Sequence, residues 1–386
     1  MKKKVIFLVL FFIFFTIPLW MWLTWLIKSK SELKIIIVDK TVLTMQANEH
    51  RSLNWILTHD KYCKPNRDLY SIDEDYKGFF PHEDKSFTIK DLDNMDQDNL
   101  MKLSQNTDLI YVTDTYGIFK KEWYGVNKKG EQSRKIYGGM SLNDLDLMKH
   151  MKNQHKMIIT EFNSIASPTP RVIRGTFEDL FGIRWTGWSG RYYSSLDSNK
   201  NKELPDWLLR DFKLQHNNSW PFRKAGIVLV HESGRIEILE DKTDLTEETP
   251  YILTNRESRD RFDLPSKIRY SFWFDIMLTS HKNNTVSVLY IEANARGDSI
   301  INSMNIPNPF PAVVEHFDKD YKFYYFCGDF ADNPTEQVFA YLWGIEKLRW
   351  LFYSSEDPEE RSSFFWLYYE PLIKNILINY YRTLKK

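Results

Sequence analysis

Short apolar runs recur along the first part of the chain and are typical of buried strands. Ile35–Val38, Leu109–Val112 and Met157–Thr160 each consist of consecutive apolar or β-branched residues, and each is followed directly by polar side chains. Continuous apolar runs of this length, without polar alternation, favour strands that are covered on both faces, as in a parallel sheet. These runs predict three neighbouring parallel strands.

Helical patterns lie between and after these runs. Residues 49–59 carry Leu53, Ile56 and Leu57 on one face, and residues 141–150 repeat the pattern from Ser141 onward. Ser141 is expected to be an N-cap, with Asp144 in the reciprocal position of a capping box. The alternation of strands and helices predicts an α/β fold with a mostly parallel sheet and flanking helices.

The pattern changes after about residue 204. Residues 226–239 predict a hairpin with a Ser-Gly turn, and two longer strands are expected around Asn283-Asn284. We therefore predict an α/β domain over 31–204, an inserted antiparallel β subdomain over 205–310, and a return strand with C-terminal helices over 311–386. Tyr321–Phe326 is expected to rejoin the first sheet, and Pro371 predicts a break in the C-terminal helical region.

The N-terminus has the pattern of a membrane anchor. After a short tail, residues 1–4, the stretch Val5–Ile27 carries no charge and is bounded by lysines. As a helix it is roughly 34 Å long, enough for a ~30 Å hydrocarbon core. Pro18 is tolerated in such a helix, and three tryptophans near its end suit an interfacial aromatic belt.

A cleaved signal peptide is disfavoured, because the apolar region is long and no small-residue cleavage site follows it. We expect a single-pass signal anchor with the N-terminus inside and the bulk of the chain extracytoplasmic. A cytoplasmic domain tethered by a reversed anchor is the alternative, since lysines flank both ends.

The charge balance limits which kinds of partner the protein is expected to bind. The 52 basic and 52 acidic side chains cancel, but residues 1–30 hold five lysines and no acid, so the remainder has a net charge of −5. A chain without basic excess is not expected to bind nucleic acid. The aromatic content of 16% predicts a packed globule rather than a disordered chain.

Polar residues follow the predicted parallel strands. Ligands of such sheets bind beyond the carboxyl ends of the strands, so these residues are candidates for a shared cleft. The candidate ligand-binding residues are Asp39, Asp114, Tyr116, Gly138, Gly139, Glu161 and Asn163. Alternatively, these residues only cap helices and fix loops.

Three features together resemble the class I glutamine amidotransferase-like fold in its non-enzymatic branch. They are the strand ending in Asp39, the stretch Tyr137–Met140 ahead of a helix and the strand 157–163, and the late strand ending in 328–333. That late Gly-Asp-Phe-Ala-Asp-Asn element is similar to strand ends of gliding-motility-type transporter auxiliary proteins and β-galactosidase trimerisation-like domains. The resemblance covers about 35–195 and 311–345, and it implies an amidotransferase-like architecture.

The enzymes of that class place a cysteine nucleophile on a sharp strand-to-helix elbow. Here the corresponding strand leads into 161–164, which holds no cysteine, so glutaminase chemistry is not expected. Cys63 and Cys327 are either free, buried thiols or one disulfide. No zinc-type cluster, dinucleotide fingerprint or Walker motif is present, so neither metal nor cofactor is expected.

Two further groups of residues are candidates. The aromatic stretch 184–193 suits a flat polar ligand such as a sugar, with Trp188 and Arg191 at the rim of the cleft, unless it simply packs on the core. If the protein is an enzyme, Asp114, Glu161 and Asp329 are the candidate catalytic carboxylates of a glycan hydrolase.

The sequence thus favours a non-catalytic binding or accessory protein of an envelope system for polysaccharide assembly or transport. Its expected partners are the membrane, through the N-terminal helix, and envelope proteins or glycan. The alternatives are a carboxylate-based hydrolase acting on a glycan and a purely structural envelope component.

Overall fold

The computed structural model describes residues 16–125, 133–354 and 357–385. In the N-terminal half, strands and helices alternate. The helices are α1 (16–27), α2 (Asn48–His59), α3 (Gln97–Gln105), α4 (Lys120–Tyr124), α5 (Leu142–Asn153) and α6 (Arg171–Phe181). The strands are β1 (Ser31–Glu32), β2 (Ile35–Asp39), β3 (Tyr62–Cys63), β4 (Lys77–Pro81), β5 (Phe87–Lys90), β6 (Leu109–Asp114), β7 (Ile118–Phe119), β8 (Lys135–Tyr137) and β9 (Met157–Thr160).

Strands dominate the next part, and helical segments close the chain. The strands are β10 (Ile183–Tyr193), β11 (Gly226–His231), β12 (Ile236–Glu240), β13 (Tyr251–Thr254), β14 (Lys267–Arg269), β15 (Phe274–Thr279), β16 (Asn284–Tyr290), β17 (Phe310–Phe317) and β18 (Lys322–Phe326). The helices are α7 (Asp206–Gln215), α8 (Arg256–Phe262), α9 (Ala295–Ser303), α10 (Arg361–Phe364) and α11 (Glu370–Leu384), with 3₁₀ turns at Gln337–Tyr341 and Ile345–Leu351 and a π turn at Phe365–Tyr369.

The central sheet has ten strands in the order β14-β13-β16-β17-β18-β9-β6-β2-β4-β5. The middle strands, from β18 to β4, are parallel, and the strands on both sides are antiparallel. The mixed α/β class with a parallel centre is therefore confirmed. The apolar side chains of β2, β6 and β9 are buried, except Ile36, which is partly exposed, as their continuous apolar runs require.

A second, four-stranded antiparallel sheet has the order β12-β11-β10-β15. The predicted hairpin forms its β11-β12 edge, with Gly234 in a left-handed conformation (φ 89°) at the turn. The strands of residues 205–310 divide between the two sheets, because β13, β14 and β16 extend the central sheet through β17. This part of the chain is thus built into both sheets.

Two local predictions about helices have different outcomes. The capping box of α5 is confirmed, because Ser141 accepts from the backbone N–H of Asp144 and the Asp144 carboxylate accepts from the N–H of Ser141. The break expected at Pro371 is wrong, since helical geometry runs without interruption through residues 361–384. Pro371 lies in the first turn of α11, where its missing N–H is tolerated, directly after the π turn.

Helix α1 covers only the end of the expected anchor. Residues 5–15 of that stretch lie outside the described residues. Within the described ranges, no helix combines the length and the apolar character needed to cross a membrane. Trp25 is buried against the domain, and its indole N–H donates to the Thr58 carbonyl oxygen (3.2 Å).

Candidate functional site

The carboxyl ends of the parallel strands meet at one edge of the central sheet. Asp39 of β2 lies opposite Asp114 of β6, and Val112 lies opposite Thr160 of β9, one residue before Glu161. On the other side of β9, Tyr325 of β18 lies opposite Thr160. The register therefore brings together the strand-end residues that the sequence predicts as a site.

Asp39 is fully buried and holds the start of α2. Its Oδ2 lies 2.6 Å from Nδ1 of His50, and its Oδ1 accepts from the backbone N–H of Thr41 (3.0 Å). The other ring nitrogen of His50 lies 2.9 Å from the Ile72 carbonyl oxygen. Both ring nitrogens therefore have an oxygen partner. Asp39 and His50 therefore form a buried pair that ties β2 to α2.

Asp114 is also engaged by its own loop. Its Oδ1 accepts from the Thr41 hydroxyl (2.8 Å) and from the backbone N–H of Tyr116 (2.5 Å). Burial raises the pKa of Asp114 well above its usual range, and the negative charges of Asp329 and Asp39 raise it further. The carboxyl is thus biased toward its neutral form at this crowded edge.

Glu161 fastens the end of β9 to the late loop after β18. Its Oε2 accepts from the backbone N–H groups of Phe330 (3.0 Å) and Ala331 (2.9 Å), and its Oε1 accepts from the Tyr111 hydroxyl. The side chain is completely buried, and burial raises its pKa well above the usual range despite these bonds. Glu161 is therefore a structural clamp without access to solvent.

The accessible part of the edge is made by two acids and an arginine. The Arg361 guanidinium pairs with Asp329 (3.4 Å) and Asp332 (3.1 Å), and these side chains are 20%, 17% and 26% exposed. Burial, followed by the charge of Asp332, raises the pKa of Asp329 to about 7. Arg361 also stacks over the Phe272 ring at 4.1 Å, which fixes its position.

Glu49 adds a third half-buried acid from the first turn of α2. Burial raises its pKa well above the usual range, and the charges of Asp39 and Asp332 are the next contributions. We call Asp39, Glu49, Asp114, Asp329 and Asp332 the acidic edge.

Asn163 stands at the turn after β9, where a hydrolase of this architecture would place its nucleophile. Its backbone is left-handed (φ 61°), a conformation that asparagine tolerates better than most residues. Its N–H donates to Oδ2 of Asp275 (3.3 Å), whose Oδ1 accepts from the Ser189 hydroxyl (2.6 Å). Burial raises the pKa of Asp275 to about 7. A carboxamide cannot serve as the nucleophile of acyl transfer.

Gly138 and Gly139 serve close backbone packing. A Cβ on Gly138 would lie 2.4 Å from the Cα of Gly117, and its φ is 124°. The Gly139 N–H donates to the Thr115 carbonyl oxygen (2.6 Å). Tyr116 is half-buried, with its ring 4.9 Å from that of Phe119. The glycines therefore hold the loop after β6 against the segment that precedes α5.

Trp188 and Arg191 belong to strand β10, so the aromatic stretch 184–193 is part of a sheet. Trp188 is 4% exposed and packs against His231. Arg191 pairs with Glu203 (2.9 Å). Among the contacts of the described residues, none joins either side chain to the acidic edge. Ser189, between them in sequence, donates to Asp275, which also accepts from the Asn163 N–H.

Three cavities are lined by residues outside the acidic edge. Three cavities in the described part of the chain have volumes of about 520, 270 and 100 Å³, and no residue of the acidic edge lines any of these three. Both cysteines are buried and unpaired. Within the described ranges, no group of histidine, cysteine and acid side chains could hold a metal ion.

Sequence reasoning missed several residues of this site. Glu49, His50, Asp275 and Arg361 come from segments far apart in the chain, and only the fold brings them to the strand ends. Glu49 and His50 lie in the first turn of α2, the helix that follows β2. This position could have identified them, because helix N-termini beside strand ends contribute to such sites. Asp275 gave no such signal, since it lies inside a strand.

Comparisons with known proteins are sparse. No protein-family model matches the sequence, and no curated protein matches it. Among solved structures, a ThuA-like protein from Bacteroides uniformis is similar at 10% identity and a TM-score of 0.35, over 87% of this chain and 97% of that one. A ThuA-like protein from Parabacteroides merdae is similar at 10% identity and a TM-score of 0.36, over 81% of this chain and 88% of that one.

A β-galactosidase from Bacillus circulans gives 9% identity and a TM-score of 0.36, over 83% of this chain and 32% of that one. The chain thus spans about a third of that enzyme. β-Galactosidase is one of the protein types that the sequence resemblance names. At these identities and TM-scores the comparisons assign neither an activity nor a branch of the fold.

Proposed function

We propose that this protein is a membrane-attached, extracytoplasmic binding or accessory protein of an envelope system for polysaccharide assembly or transport. Its amidotransferase-like fold is catalytically degenerate, and the accessible acids of the acidic edge, Glu49, Asp329 and Asp332, recognise the ligand. One observation carries the proposal: Asp39, Asp114 and Glu161 are buried and hydrogen-bonded within the protein, and Asn163 occupies the elbow.

The accessible acids indicate what kind of ligand suits the edge. Glu49, Asp329 and Asp332 are half-buried, and they come from two separate segments of the chain. Carboxyl oxygens accept hydrogen bonds from hydroxyl groups, so a hydroxyl-rich chain fits this surface.

The attachment to the membrane is supported by the uncharged stretch Val5–Ile27 and by the apolar side chains that α1 leaves exposed. A helix of this length and composition spans a bilayer, and the lysine-rich tail favours an N-terminus inside.

Binding is tested with the full chain in mild-detergent micelles on a glycan array. We expect retention of a subset of glycans, weakened at least severalfold by Glu49→Gln and unchanged by Glu83→Gln, which alters an exposed turn. Equal retention by both variants, or no retention by the unaltered chain, would contradict the proposal.

A glycan hydrolase is the second candidate, favoured by one observation. The pKa of Asp329 is about 7 and its side chain is 17% exposed, which suits a general acid. Glu161 is completely buried and Asp114 is only 6% exposed, so Asp329 is the accessible one of the three carboxylates that the sequence proposes. Release of reducing ends that disappears in Asp329→Asn would favour this candidate over binding alone.

A further inference from the structure

An apolar surface lies beside the point where α1 joins the domain. The two 3₁₀ turns, Gln337–Tyr341 and Ile345–Leu351, expose large side chains: Val338 is 63% exposed, Trp350 65% and Leu351 57%. We call residues 337–351 the 337–351 face. Large apolar side chains that cluster on a surface mark a contact with another apolar phase.

Direct contacts join this face to α1. The Trp343 backbone N–H donates to the Met21 carbonyl oxygen (3.2 Å), and the Tyr341 ring meets the Trp25 ring edge-on at 4.8 Å. The Lys28 ammonium lies 3.4 Å from the centre of the Trp343 ring. The position of the face along the helix is therefore fixed.

Helix α1 itself presents apolar side chains outward. Six of its side chains are between 37% and 85% exposed: Leu19, Trp20, Trp22, Leu23, Leu26 and Ile27. Ahead of the helix, residues 5–15 lie outside the described part of the chain and carry no charge.

The depth of the face follows from the helix rise. Met21 precedes Ile27 by six residues, which corresponds to roughly 9 Å along the axis. The polar interface on each side of a bilayer is about 5–7 Å thick. When residues 5–27 are inserted, Met21 therefore lies deeper than this layer, while Lys28 directly follows the inserted stretch and lies within the layer. The contact of the Lys28 ammonium with the Trp343 ring carries that side chain into the interface.

We propose that the 337–351 face lies in the headgroup layer of the bilayer and orients the domain on it. This inference rests on the proposed membrane attachment. Tryptophan and tyrosine favour the interface because one end of each ring system is apolar and the other polar. Lys347 is exposed on the same turn as Trp350 and is placed to meet anionic lipid phosphates.

The test uses nitroxide labels on the full chain in vesicles of phosphatidylcholine and phosphatidylglycerol. Trp350→Cys places a label on the face, and Leu214→Cys, where the leucine is 79% exposed, is the matched control. Cys63 and Cys327 are fully buried, so they will not react in the folded protein. Collision rates with oxygen and with a water-soluble nickel chelate report the depth of each label.

We expect the oxygen-to-nickel collision ratio to be several times higher at position 350 than at 214. Equal ratios at both positions, on protein that floats with the vesicles, would overturn the inference and leave the attachment intact. Failure to float would overturn the attachment and the inference together. A label at position 350 that collides with neither oxygen nor the nickel chelate and shows spin–spin broadening would indicate a second copy of the chain on this face. That result also overturns the inference.

Discussion

Asp275 provides the sharpest physical test of the buried carboxyls. It is completely buried, and burial raises its pKa to about 7 although Ser189, Asn163 and Tyr325 donate to it. The unfolded chain has a carboxyl pKa of about 3.9. Because the folded-state pKa is the higher one, the folded protein binds more protons, and stability falls as the pH rises through this window.

The magnitude follows from the difference between the two pKa values. A gap of about three units corresponds to about 4 kcal/mol, lost between about pH 4 and pH 7 and constant above that. Asp275→Asn removes the titration. Its amide oxygen can accept from Asn163 and Tyr325, while its NH₂ donates to the Ser189 hydroxyl, so the fold is expected to persist.

The assay is urea unfolding of the full chain in mild-detergent micelles, followed by tryptophan fluorescence at several pH values. The difference in free energy of unfolding between the unaltered chain and Asp275→Asn should shift in favour of the variant by about 4 kcal/mol between about pH 4 and pH 8. Because both proteins carry the same other carboxyl groups, the pH dependence that those groups cause cancels in this difference. Glu83→Gln serves as the control. A difference that does not change with pH would refute the reasoning.

Two further substitutions test the packing of the site, with unfolding free energy as the readout. Gly138→Ala should destabilise by about 1–3 kcal/mol, because its Cβ would meet Gly117 and its φ is 124°, whereas Gly175→Ala, which meets nothing within 4 Å, should be neutral or stabilising. Equal effects would contradict the backbone argument. Arg361→Met should cost about 2–4 kcal/mol by leaving two acids without their shared cation, while Arg256→Met, 90% exposed, should cost little. A neutral result at position 361 would show that these acids need no partner.

The parallel strands and the α5 cap could be read from the sequence because their determinants are local. Buried parallel strands require continuous apolar runs, and a capping box needs only Ser141 and Asp144. The register then follows from pairing, which is why the strand ends meet at one edge as expected.

Strand β10 could not be read in the same way. Its glycines, arginines and aromatic residues have the composition of a loop, but it pairs with β11 and β15 along its two edges. Gly190 packs under the Phe274 ring, where a Cβ would lie 2.5 Å away. Tertiary packing therefore decides the conformation of this segment, and Trp188 lies buried within the strand.

The different roles of the acidic residues could not be predicted from the sequence either. Nothing local distinguishes Glu161, whose carboxylate binds two backbone N–H groups of the late loop, from Asp329, which remains accessible. The two backbone N–H groups that bind Glu161 come from residues 330 and 331, far along the chain, and the Asp329 carboxylate is paired by Arg361 of the C-terminal helical region. Site residues could thus be predicted by position, while their protonation and access required the fold.

The most direct measurement of the central claim follows glycan fragments incubated with the full chain by mass spectrometry, in parallel with equilibrium binding. The account predicts that the acidic edge binds a fragment, that its mass stays unchanged, and that Glu49→Gln weakens binding severalfold. A fragment that is cleaved by the unaltered chain and left intact by Asp329→Asn would contradict it.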